Sequence, residues 1–96
     1  MSNHQTPEHS LIGSVCAWSK DESGSFDMYH NFRFAKSAEY LGGKRQYILQ
    51  KSEYQTFLIL DHELHRFADG MFKVLMATGE VGWICATADG EIEVRQ

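Results

Sequence analysis

The sequence predicts a small all-β domain folded as an antiparallel barrel, and three observations carry that prediction. The first is the stretch Met71-Phe72-Lys73-Val74-Leu75-Met76-Ala77 followed by Gly79-Glu80-Val81-Gly82-Trp83-Ile84. Apolar positions alternate on both sides of Thr78-Gly79, and glycine there supplies the positive φ of a tight hairpin turn. The second is the even-numbered series Phe26, Met28, Phe32 and Phe34, interrupted only by His30, whose period of two belongs to a strand with one buried face. The third is Gly82, inside the returning strand of the hairpin. Glycine weakens a strand interior unless another group needs the space, so it marks a bend or a close approach at a barrel corner.

Taken in order, residues 1–9 are polar and aperiodic and read as a frayed tail. Residues 11–18, Leu-Ile-Gly-Ser-Val-Cys-Ala-Trp, form a β-prone first strand bounded by the polar loop 19–25. Residues 26–34 are the alternating second strand. Residues 35–41 favour helix by composition but are too few for more than a loop or one helical turn before Gly42-Gly43. Residues 46–50 and 56–60 are strands flanking the polar Lys51-Ser52-Glu53. The hairpin strands 71–77 and 80–84 come next, then the irregular turn 85–90 and a last strand, Glu91-Ile92-Glu93-Val94.

Ninety-six residues with 43% apolar content suit one domain, placed at 10–96. Acids outnumber bases 13 to 9 and the formal charge is −4, so the chain as a whole lacks the electropositive footprint of a nucleic-acid binder, and nucleic acid is not an expected partner. Cys16 and Cys85 stand far apart with no CxxC pair, the pattern of two reduced core thiols rather than a disulfide framework. The start has no apolar signal-peptide run and no stretch approaches the ~20 residues of a membrane span, so the expected setting is cytoplasmic, with no membrane partner.

Residues 56–94 resemble an SH3-like barrel domain of the bacterial and phage type. The resemblance rests on the apolar strand, the pattern G-x-x-G-aromatic-aliphatic at Gly79, Gly82, Trp83 and Ile84, the short irregular turn and the last strand. Upstream, 56–61 looks like the strand before the n-Src loop of such domains and 62–70 like that loop, which makes 19–55 an enlarged RT-type excursion. In peptide-binding members the aromatic after the second glycine lies on the ligand face, so the resemblance implies Trp83 outside and Ile84 inside. Strand alternation gives the same split. Trp83, Phe72 and Met71 are therefore the expected contact residues, anchoring a protein or peptide by hydrophobic contact. The competing reading is that the long excursion covers Trp83, which then merely packs. A proline-rich PxxP ligand is not expected: Met71-Phe72 stands where the family commonly has two tryptophans, Cys85 follows Ile84 in place of proline, and the turn before Ile92 has no tyrosine.

Other constellations carry less. Asp61-His62-Glu63-Leu64-His65 presents an HxxH pair, but a charged loop is explained by solvation and no metal site is expected. Gly42-Gly43-Lys44-Arg45 lacks the spacing and the following Ser or Thr of a phosphate loop and reads as a turn with solvated charges. No nucleophile elbow, phosphate loop or zincin motif is visible, so no catalytic residues and no cofactor are expected. The function implied is a non-catalytic binding or accessory module. The alternatives are a structural protein that self-associates into homo-oligomers through an open sheet edge, or a small enzyme or metal protein built from Cys85 or from His62 and His65.

Overall fold

A computed structural model describes residues 11–27, 29–63, 70–86 and 90–95. The fold is all-β, as the sequence predicts. Among the described residues its strands are β1 (Val15–Trp18), β2 (Asn31–Ala35), β3 (Tyr47–Gln50), β4 (Thr56–Glu63), β5 (Met71–Met76), β6 (Val81–Cys85) and β7 (Ile92–Val94), with a 3-10 turn over Ala38–Tyr40. They form a single antiparallel sheet in the order β3-β2-β6-β5-β4-β1-β7. Among the described residues no helix is long and apolar enough to cross a membrane. The polar tail expected over 1–9 lies outside the described residues.

Period-two patterning places the core. Phe72, Val74 and Met76 on β5, Phe57 and Ile59 on β4, Phe32 and Phe34 on β2, Cys16 and Trp18 on β1, Ile84 on β6 and Ile92 on β7 all enter one buried cluster. The hairpin pairs Met71 with Cys85 and Leu75 with Val81, and it turns at Gly79 with φ 96°. Gly82 has a specific reason to be glycine. A Cβ there would clash with the edge of the Phe34 ring and lie 2.6 Å from the Ala35 carbonyl oxygen, so the missing side chain seats β2 against β6.

The excursion between β1 and β4 contains β2 and β3, and β2 pairs with β6. Its 35–46 segment folds over the outer face of the hairpin. There Leu41, Ala35, Met71 and Trp83 form a second buried cluster, with Ala38, Tyr40 and Cys85 packed against it.

The sheet's two edge strands converge through side chains. Lys51, directly after β3, is 0% exposed, and its Nζ lies 3.2 Å from Glu91 Oε2, directly before β7. The same ammonium donates to the Asp27 carbonyl at 3.1 Å and sits 4.7 Å from the centre of the Trp18 ring. The Trp18 ring also packs on Phe32 and Phe57, and its Nε1 donates to the Tyr54 carbonyl. A lysine in the polar stretch expected between two strands is thus a buried latch, with its charge met by a carboxylate, a carbonyl and an indole face.

One strand runs longer than expected. Rather than opening into a loop at residue 62, β4 continues to Glu63, pairing His62 with Phe72 and Glu63 with Met71. The register shifts between Ile59 and Asp61. The extra residue at this bulge reverses the facing of the rest of β4 and brings His62 to the core side against the Phe72 ring, 5.0 Å between centres.

Candidate functional site

The three expected contact residues are not on an open surface. Phe72 is fully buried in the main core, and Met71 and Trp83 belong to the second cluster. The face assignment holds, with Ile84 in the main core and Trp83 on the opposite side of the sheet. What removes Trp83 from solvent, leaving it 9% exposed, is Leu41 and its neighbours in the excursion. Trp83→Ala is therefore expected to destabilise the fold by about 3–5 kcal/mol, as severely as Ile84→Ala at about 2–5 kcal/mol. Denaturant unfolding curves check this, and an unchanged midpoint for Trp83→Ala would show that the excursion does not cover the ring.

His62 is half-buried on β4, with its Nε2 buried and without a hydrogen-bond partner among the described residues. That nitrogen would lie 3.0 Å from a Cβ at Gly70, so the absent side chain there leaves it room. His65 lies outside the described residues, and among the described residues no three His, Cys, Asp or Glu side chains come together. Cys16 lies in the main core and Cys85 against the second cluster, both as free thiols, with β4 and β5 between their strands. Burial pushes both thiols above the usual cysteine range. At Cys85 Arg33 partly opposes this and Glu91 adds to it. This is the reverse of the shift that activates a nucleophilic cysteine.

A different site stands at the start of β3. Lys36, Tyr40, Lys44, Arg45, Gln46 and Tyr47 line an open cavity of about 250 Å³. Local turn chemistry builds it. Gly42 takes φ 87°, its N–H donates to the Gln46 Oε1 at 2.7 Å, and the Gly43 and Gln46 amides bond back along the turn. The loop closed in this way brings Lys36, before the 3-10 turn, beside Lys44 and Arg45 after it. The Arg45 guanidinium lies over the Tyr40 ring at 4.9 Å and donates to the Tyr40 Oη at 2.8 Å, which fixes its plane. Lys36 Nζ lies 5.9 Å from the centre of the Phe34 ring.

Among the described residues no carboxylate lines this cavity, and none of its three cations is held in an ion pair. The chain has 9 bases in all, so a third of them converge here on a protein of net charge −4. Tyr47 and Ile48, 56% and 57% exposed, continue from the cavity along β3, whose outer side pairs with no other described strand. The sequence shows Lys44-Arg45 and Tyr47 as a local run, and that much of the signal was available. Lys36 and Tyr40 join it only through the turn.

Comparison with protein families, with curated proteins and with solved structures found no match to this chain.

Proposed function

We propose that this protein is a non-catalytic binding module on an SH3-like barrel, and that it engages an extended, acidic segment of a protein partner along the open edge of β3. The barrel reading is supported by the chain order: a first strand, a long excursion, three consecutive antiparallel strands β4, β5 and β6, and a short last strand returned beside the first. The contact surface rests on one observation, the convergence, in a tyrosine-walled cavity at the head of an edge strand, of three cations without ion-pair partners among the described residues. An edge strand offers main-chain hydrogen bonds to an added strand, and side-chain pockets beside it set which sequence is accepted. Charge complementarity selects acidic side chains on the incoming segment.

The test uses a fluorescein-labelled peptide of alternating Glu and Val, with a Lys and Val peptide as its counterpart. Polarisation is expected to rise with the acidic peptide only, to fall as salt approaches 1 M, where the Debye length is about 3 Å, and to be lost in a Lys44→Glu, Arg45→Glu double variant of unchanged unfolding midpoint. Equal binding of the two peptides, or binding undiminished in the variant, overturns the reading. The β7 edge is also open, with Val94 exposed. A concentration-dependent dimer on a sizing column with light scattering, displaced by neither peptide, would favour self-assembly instead.

A further inference from the structure

We infer that the cavity at the head of β3 is a site for a phosphate monoester dianion. This rests on the proposed contact surface and names the chemical group that surface reads. The donor set distinguishes phosphate from carboxylate. A carboxylate carries one negative charge and two acceptor oxygens, whereas Lys36, Lys44 and Arg45 bring three positive charges with no acidic residue in the lining. A phosphate monoester near neutral pH carries close to two negative charges and three strong acceptor oxygens, one oxygen for each cationic side chain and twice the charge that a carboxylate brings.

Two further features suit the same group. The Arg45 guanidinium lies over the Tyr40 ring and donates to Tyr40 Oη, so its fork is positioned at the cavity before a ligand arrives. Tyr40 and Tyr47 give the cavity aromatic walls that can flank the carbon group of the ester. The cavity, about 250 Å³ and open to solvent, has room for a phosphate with its substituent.

The ester has two sources, a phosphorylated side chain on the partner segment or a small free phosphate ester, and the experiment separates them. Amide shifts of the full chain are followed by NMR during titration with phenyl phosphate, phenylacetate, and an extended peptide containing one phosphoserine. Phenyl phosphate cannot add a strand to β3, so it tests the cavity apart from the edge. It is expected to bind at least tenfold more tightly than phenylacetate, which has the same ring and a single charge. Its binding is expected to weaken from pH 7.5 to pH 5, as the phosphate takes up a proton with a pKa of about 6, and to fall at least tenfold in Arg45→Ala with the unfolding midpoint retained. A phosphoserine peptide tighter than phenyl phosphate identifies the partner's side chain as the source. Equal or weaker binding identifies a small ester. Phenylacetate binding as tightly as phenyl phosphate, or Arg45→Ala binding undiminished, overturns the dianion site. If the acidic Glu and Val peptide still binds, that failure leaves the proposed contact surface standing.

Discussion

Gly82→Val is expected to cost about 3 kcal/mol, the upper part of the range for overpacking, because the new Cβ would occupy the space of the Phe34 ring and press on the Ala35 carbonyl oxygen. Neither neighbour yields easily. The ring is locked in the main core, and the carbonyl belongs to β2 where it pairs with β6. Gly90→Val is the comparison: a Cβ there meets nothing within 4 Å, yet φ is 117°, so its cost is backbone strain of about 1–2 kcal/mol. Urea midpoints at constant m-value measure both. Equal losses would mean that the β2–β6 contact does not depend on the missing side chain.

The second large effect is expected at Lys51. Lys51→Met keeps most of the side-chain volume but removes the cation beside Glu91, whose carboxylate stays largely out of water. Removing one member of a buried pair costs about 3–5 kcal/mol, whereas replacing both by neutral groups recovers much of that. The double variant Lys51→Met, Glu91→Gln is therefore expected to be more stable than Lys51→Met alone, with a coupling above about 1 kcal/mol. Lys44→Met, on the exposed loop, should change stability by less than about 0.5 kcal/mol. If Lys51→Met behaves like Lys44→Met, the two sheet edges are not latched by this pair.

The strands were legible because their information is local. Alternation in 71–84 and the turn chemistry of Thr78-Gly79 need no distant partner, and the structure follows them within a residue, whereas the strand expected over 26–34 begins only at Asn31, with Phe26 in an isolated bridge to Lys20, and the one expected over 11–18 begins only at Val15. Gly82 was legible as a close approach, although the group that approaches, Phe34, was not. Lys51 was hidden because a lysine between Gln50 and Ser52 looks solvated, and the carboxylate that lets it be buried is 40 positions away. The bulge at Leu60 left no separate mark in the apolar pattern, so the turning of His62 toward Phe72 was missed. For Trp83 the sequence sets the face but leaves both exposure and cover by the excursion open, since the outcome depends on where 38–41 folds, a tertiary contact. The cavity was half visible for the same reason.

Binding along β3 is read most directly by an NMR titration of the full chain with the alternating Glu and Val peptide, which shows which backbone amides move. Shifts are expected to concentrate on Lys36, Tyr40, Lys44, Arg45 and the β3 residues Tyr47 and Ile48, with Val94 and the hairpin turn at Gly79 unmoved. Shifts centred on β7, or a full titration that moves no amide of β3 or of the cavity, would contradict binding along β3.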